Sequence, residues 1–471
     1  VSVKVFVPVP AAKAALATPS DRDRVVDGAR AAALVVVVAG HSIMAVVAWP
    51  DGVPVLGNLL AAYPWTQALT WLLQIMPLFF WAGGAANALS WDRRAARGES
   101  YASWLWARAD RLLRPAFVYL AIMGTVALVV TLVAPAKAAE PLMTLVTQLL
   151  WFLGAYLLVT ALTPLFRATT PGRAILVAAS LLLACGLIDA GRFFLGLPDA
   201  IGLLNFVLVW AVPAYLGSLR AHGVMARYRA WGLGVVLLGC VALNAGLIRQ
   251  GPWPVSMVGM PGEPVSNMAP PTVVLALHSV ALVMVVTLFD RPLRRLLDRP
   301  RVWQPVTAVN LCAMTLYLWH LPVLITLTVV GHALHLERPT ALGPDGWPVP
   351  DGWGYLLGSL VFWSVYAVGV WAIVRLMWPF EHQPLVWWDA PPRLPAPAPR
   401  IAAWVAALGT AGVGVATLVL SATGLAGFPT TVIDYAGLPL NAAGAIAVLL
   451  ISGAAIRWAG AARAPAVAPA A

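Results

Sequence analysis

The chain has 471 residues, 61% of them hydrophobic and only 10% charged, with a formal net charge of +11. A mean hydropathy of +0.83 excludes a soluble globular domain, in which roughly a quarter of residues are charged, and predicts an all-α, polytopic transmembrane bundle. The 30 Lys and Arg residues outnumber 19 Asp and Glu, but they lie in short loops between apolar runs, where they set orientation, so the charge excess does not indicate nucleic-acid binding.

Residues 1–29 mix polar and apolar side chains, with Lys4, Lys13, Arg22 and Arg24, and lack the layout of a signal peptide. A cytoplasmic N-terminal tail is expected here. The first membrane-length segment, 30–49, opens on Arg30 and carries His41 inside its apolar run. At ~1.5 Å per residue the imidazole lies roughly 16 Å along the axis from Arg30, deep in hydrocarbon unless it faces the bundle interior or a water-filled cavity. An interhelical hydrogen bond and a functional site are the two readings open at that point.

Further spans are expected near 66–90, 113–134, 145–165, 174–195, 201–219, 231–248, 270–289, 306–329, 354–378, 401–422 and 437–457, about twelve in all. The loops check that count. One set carries Arg93, Arg94, Arg97, Arg108, Arg111 and Arg114, then Arg167 and Arg173, Arg220 to Arg229, Arg291 to Arg301, Arg393 and Arg400, and finally Arg457 and Arg463. The alternate set holds only Lys137, Arg192, Arg249 and Arg338. The alternation predicts that both termini are cytoplasmic, in a multi-pass plasma-membrane protein.

Between spans two and three, Arg108, Arg111 and Arg114 follow one another at i, i+3, i+6. They serve either as inner-side anchors or as a phosphate clamp, since guanidinium forks grip phosphate oxygens bidentately. Gly83 and Gly84 at the end of MPLFFWAGG permit close approach of a neighbouring helix or of a ligand. Farther on, His278 in the eighth span and His320 in the ninth, within LYLWH beside Tyr317, come near the same depth as His41. Helix–helix hydrogen bonding is the alternative for His278, and a structural cluster with Tyr317 and Trp319 the alternative for His320. His332 and His335 fall in an external loop and are expected to be solvated. No carboxylate lies at this depth with metal-ligand spacing, so no metal is expected. Cys185, Cys240 and Cys312 lack CxxC spacing and are expected to pack in the core. A Pro-rich linker at 383–400 precedes two apolar helices at 401–457, expected to be an appended packing pair, and a disordered tail at 458–471.

Arg30 and His41 separated by ten residues, PLFFWAGG at 77–84, RLLR at 111–114, LWFLGAYLL at 150–158 and LYLWH at 316–320, in that order, resemble the acyltransferase 3 family of integral membrane acyltransferases. The resemblance covers the ten spans of a 30–382 core. It implies an O-acyltransferase (EC 2.3.1) that takes an acyl group, acetyl by expectation, from cytosolic acyl-CoA as a donor substrate, with no bound cofactor. The acceptor would be a hydroxyl of a cell-surface glycan, a lipid-linked sugar or a small molecule. It also implies an essential role for His41 and donor binding by Arg111 and Arg114 with Arg30. Two departures stand out: Ala82-Gly83 replaces the Ser-Gly that often follows the paired phenylalanines, and no GDS-type nucleophile motif is present, so a membrane catalyst that stands alone or acts with a separate partner is expected.

On this reading neutral His41 is the general base toward the acceptor hydroxyl or else forms an acyl-histidine. His320 or Tyr317 stabilises the oxyanion or orients the acceptor, and His278 lines the substrate site. The competing class is a secondary transporter or flippase with a midplane histidine relay. It leaves Arg111 and Arg114 unexplained, and no membrane Asp or Glu stands ready for proton coupling.

Overall fold

The computed structural model describes residues 11–19, 22–134, 136–166, 170–260, 262–383, 385–390, 394–435 and 438–462. The first ten residues, Arg167, Arg393, Arg463 and most of the expected C-terminal tail lie outside them. Among the described residues, eleven helical segments are long and apolar enough to cross a membrane, and a twelfth is obtained if Val273–Leu288 and Asp290–Leu297, bent by 66°, count as one span. The protein is a multi-pass helical membrane protein, in agreement with the sequence pattern.

Helix α1 (Arg24–Met44) starts where Asp23 caps it, the carboxylate accepting from Val25 N at 3.1 Å and Val26 N at 3.4 Å. The expected first span ran to residue 49, but the helix stops at Met44. Ala45–Ala48 is instead a strand, β1, paired antiparallel with β2 (Val55–Asn58). The cause is local: Val46 and Val47 are β-branched, and Pro50 disfavours the helical region for Trp49 before it. His41 therefore sits in the last turn of α1.

The second span is broken. A 3-10 segment, Pro64–Leu69, and a single turn, Thr70–Leu73, precede α2 (Met76–Ala96), with Gln74 and Ile75 at the break. After α2 come α3 (Tyr101–Val133), the pair α4 (Ala136–Thr147) and α5 (Leu150–Ala161), then α6 (Pro171–Phe194) and α7 (Asn205–Ala221). Helices α8 (Ala230–Gln250), α9 (Val273–Leu288), α10 (Asp290–Leu297) and α11 (Pro300–Leu311) lead to α12 (Ala313–Ala333). A second hairpin, β3 (Thr340–Leu342) and β4 (Pro348–Pro350), precedes α13 (Gly352–His382).

Glycines set the tightest crossing in the core. A Cβ on Gly84 would lie 2.0 Å from the Ala214 carbonyl oxygen, and one on Gly217 would lie 1.9 Å from that of Trp81. The backbones of α2 and α7 thus touch, which is the packing use of the Gly83-Gly84 pair. Phe80 stacks on Trp210 beside this crossing, with ring centroids 4.5 Å apart.

The last two spans, α14 (Pro399–Thr423) and α15 (Ala442–Gly460), are joined by the hairpin β5 (Val432–Tyr435) and β6 (Leu438–Asn441). They pack on the bundle rather than standing apart. A Cβ on Gly154 of α5 would meet Thr417 Oγ1 at 2.0 Å and Gly414 Cα at 3.0 Å. Thr147 Oγ1 donates to the Leu420 carbonyl at 2.7 Å, and Leu425 N to that of Met143 at 3.0 Å.

Candidate active site

The end of α1 is held in place by groups far away in sequence. Its final carbonyls have no partner within the helix. Arg338 Nη2 donates to the Ala45 carbonyl at 2.8 Å, and Trp363 Nε1 to that of Ser42 at 3.3 Å. Tyr366 Oη, on α13, reaches the carbonyls of both Val38 (3.4 Å) and His320 (3.3 Å), stitching α1 to α12.

These contacts bring His41 and His320 together. His320 is fully buried, and its Nε2 lies 3.1 Å from His41 Nδ1. Its other nitrogen, Nδ1, is 2.9 Å from the Leu316 carbonyl. A carbonyl only accepts, so His320 carries its proton on Nδ1. In the neutral ring Nε2 is then an acceptor, and the 3.1 Å contact requires the proton of His41 to be on Nδ1. The Val37 carbonyl, one turn back, is a second acceptor for the His41 ring. What remains is a bare lone pair on His41 Nε2. The dyad thereby selects one tautomer of His41, the one that leaves the outer nitrogen basic.

His41 lines a cavity of about 1300 Å³; His320 stands behind it. The wall comes from α1, the β1–β2 hairpin, the broken second span, α4 and α5, residues 258–260, 266 and 268–270, α12 and α14. Its surface is mostly aliphatic and aromatic, with Gln74, Gln148, Thr70 and Ser266 among the few polar groups.

At the arginine-rich end of α1 a different chemistry gathers. Arg30 Nε donates to Asn310 Oδ1 at 2.7 Å and Arg30 Nη2 lies 3.4 Å from Asp27 Oδ1, so the side chain is fixed between α1 and α11. Arg108, half-buried on α3, feels the like charges of Arg111, Arg94 and Arg30. Arg30, Arg94 and Arg111, from α1, α2 and α3, thus lie near enough for their charges to act on Arg108. Arg94 is offset by Glu99 at 2.9 Å; Arg111 is exposed. Such a concentration of like charge is costly unless an anion completes it. Arg114 turns the other way: it is mostly buried, its Nη1 lies 3.8 Å from Asp389 Oδ2, and Nε and Nη2 have no partner.

A family model for an acyltransferase domain, acyltransferase 3, matches residues 23–382. The chain belongs to the acyltransferase 3 family. No curated protein and no solved structure matches it. The matched segment of the acyltransferase contains the histidine dyad and the arginine cluster, and it ends before α14 and α15.

Of the residues singled out in the sequence of the acyltransferase, the structure brings His41, His320 and Tyr317 to one place. The Tyr317 ring lines the cavity, but its hydroxyl donates to the Leu149 carbonyl at the break between α4 and α5, so it holds that break and does not point free into the site. His278 is apart from the dyad. Its Nε2 lies 3.3 Å from the Gln74 carbonyl, and its ring meets Trp71 edge-on, so it braces the broken second span from behind the cavity wall. Arg30 and Arg111 share the basic cluster; Arg114 does not. The i, i+3, i+6 spacing marked Arg108, whereas nothing in the local sequence marked Arg338 or Gln74, whose roles depend on contacts across hundreds of residues. Among the described residues no group of His, Cys, Asp and Glu is placed to hold a metal ion.

One other histidine imitates a catalytic triad. His222 Nε2 is 2.8 Å from Asp92 Oδ2 and its Nδ1 is 3.4 Å from Ser218 Oγ. The Ser218 hydroxyl, however, donates to the Phe166 carbonyl at 2.7 Å. Its proton is engaged elsewhere, so His222 faces an acceptor oxygen and activates no nucleophile.

Proposed function

We propose that this acyltransferase moves an acyl group, acetyl in the first instance, from cytosolic acyl-CoA to an acceptor hydroxyl, with His41 as general base. The observation that carries the reading is His41 at the wall of the cavity with its Nδ1 3.1 Å from His320 Nε2, which leaves Nε2 as the basic nitrogen. Arg30, Arg108 and Arg111 would bind the phosphates of the donor at the basic end, taken as the cytosolic side. The roughly 16 Å rise along α1 from Arg30 to His41 is the path the donor's flexible arm must cover to present its thioester.

The chemistry balances without a further reactant. The acceptor O–H gives its proton to His41 Nε2 as its oxygen attacks the thioester carbonyl. The resulting imidazolium is stabilised by His320 Nε2, which accepts from the Nδ1–H. The attack forms the C–O bond; collapse of the tetrahedral oxyanion re-forms the carbonyl and breaks the C–S bond, and His41 returns the proton to the departing thiolate. Base catalysis of this kind contributes about 10²–10⁴-fold in rate. A direct-attack path needs no covalent enzyme intermediate; an acyl-histidine would form on the same nitrogen.

The test is transfer of label from radioactive acetyl-CoA in inside-out vesicles. Wild type should transfer label, His41→Ala should not, and Arg111→Ala should require more donor. A wild-type protein that neither binds nor cleaves acyl-CoA of any chain length would overturn the donor assignment, and full activity in His41→Ala would overturn the base.

A further inference from the structure

The cavity is larger than an acetyl group and a simple hydroxyl compound require, exceeding the roughly 300–1,000 Å³ typical of sites for drug-sized ligands. It is also open sideways. Leu69, Leu73, Leu204 and Val415 all line it, yet leave 44%, 55%, 55% and 58% of their surface exposed. These residues belong to the broken second span, the segment before α7, and α14, all within membrane-spanning segments. An apolar opening between such segments suits hydrocarbon better than water.

One flank of the opening is α14. Ala411, Gly414, Val415, Leu418, Val419 and Ala422 line the cavity. Their spacing, i, i+3, i+4, i+7, i+8, i+11, is one face of a helix. It runs for ~16 Å at ~1.5 Å per residue without a charged side chain. On the opposite face Ala406, Val413 and Leu420 are buried, and Gly409 beside them meets Ser452 and Ile456 of α15. This wall lies outside the segment that matches the family, residues 23–382, so it is a feature this chain adds to the shared site.

We propose that the acceptor is a membrane-resident amphiphile: a hydroxyl-bearing lipid whose hydrocarbon chain enters sideways, lies along the α14 stripe, and sets the hydroxyl beside His41 Nε2. The inference rests on the acyltransferase reading for the hydroxyl's purpose, but occupancy of the cavity by a chain can be tested without turnover. An acyl chain belonging to the donor would fill the same space, so the experiment separates the two sources.

The probe is hexadecanol carrying a photoactivatable diazirine, added to the full-length protein in nanodiscs, with labelled residues mapped by mass spectrometry. Label is expected on inward residues of the cavity, such as Val37, Leu149 and Phe152, in both wild type and His41→Ala. Val415→Trp and Leu418→Trp should each reduce that label several-fold; Val415, largely exposed, takes the larger ring without threatening the fold. Label confined to outward positions such as Leu238 and Val361 overturns the proposal. So does displacement of the probe by palmitoyl-CoA but not by acetyl-CoA, which assigns the chain to the donor. Cavity labelling without any acyl-CoA-dependent transfer would leave the lipid site standing and remove the donor reading.

Discussion

Replacement of His320 by alanine examines the dyad most directly. His320 does not face the cavity, so its contribution should pass entirely through the 3.1 Å contact with His41 Nδ1. Without it, His41 keeps only the Val37 carbonyl as an acceptor, and its tautomer is less firmly held. Loss of one hydrogen bond costs about 0.5–1.5 kcal/mol. At about 1.36 kcal/mol per factor of ten, the expected loss in kcat/KM is roughly 2- to 13-fold. His41→Ala removes the base itself and should cost about 10²–10⁴-fold. The double variant should be no worse than His41→Ala alone, because a positioning group has nothing left to position. His320→Gln, whose amide oxygen can accept from Nδ1–H, should recover part of the loss. The assay is the rate of label transfer from acetyl-CoA, with thermal unfolding of each variant followed to exclude collapse of the bundle. Wild-type activity in His320→Ala would refute the tautomer argument. So would multiplicative losses in the double variant, since two residues acting independently are not a dyad.

Other expectations rest on the same geometry. Arg108→Ala should raise KM for acyl-CoA about 10- to 150-fold with kcat largely kept, the equivalent of one charge-assisted contact of about 1.5–3 kcal/mol; high salt should mimic it in the wild type. An unchanged KM would remove Arg108 from the donor site. Gly84→Ala places a methyl 2.0 Å from the Ala214 oxygen and should destabilise by about 1–3 kcal/mol through overpacking, read as a lower melting temperature in detergent. Arg338→Met strips a hydrogen bond from the carbonyl that ends α1 and another from the Tyr355 hydroxyl. Both the melting temperature and kcat should fall, whereas a drop in stability alone would separate the end of α1 from catalysis.

How far the sequence reached can be judged from particular residues. Span positions were legible because lipid leaves the backbone few options, and a run of twenty apolar residues has one stable form. The end of α1 was not, because Val46 and Val47 are as apolar as the residues before them. Hydropathy does not distinguish a helix from a short hairpin strand at its end. His41 and His320 could be placed at similar depth by counting residues from the loops. That they touch, and through which nitrogens, depends on how α1 and α12 rotate about their axes, which Tyr366 and Arg338 settle from other elements. The same limit explains Tyr317 and His278. Each was visible as a polar group in an apolar run, but a hydroxyl given to Leu149 and an imidazole given to Gln74 brace breaks in neighbouring helices. Sequence shows that a buried polar group needs a partner; only packing says whether the partner is substrate or backbone.

The arrangement of polarity around His41 bears on why an enzyme of this kind spans a membrane at all. The guanidiniums of Arg30, Arg94, Arg108 and Arg111 gather toward the N-terminal end of α1, whereas the apolar cavity runs past His41 from Leu34 to the β1–β2 hairpin. A water-soluble anionic donor and a lipid acceptor cannot share one solvent. On the proposed reading each would find its own medium in this arrangement and the two would meet only at the imidazole. The thioester would reach the dyad from the charged end and the hydroxyl would arrive through hydrocarbon, leaving bulk water, the competing acceptor, the less favourable route. One consequence separates this account from a site open to water on both sides. Hydrolysis of acetyl-CoA in the absence of acceptor should be slow, and it should rise when the apolar flank is breached by Leu418→Asp. Equal hydrolysis rates in wild type and Leu418→Asp, with folding intact, would show that the α14 wall does not keep water from the dyad.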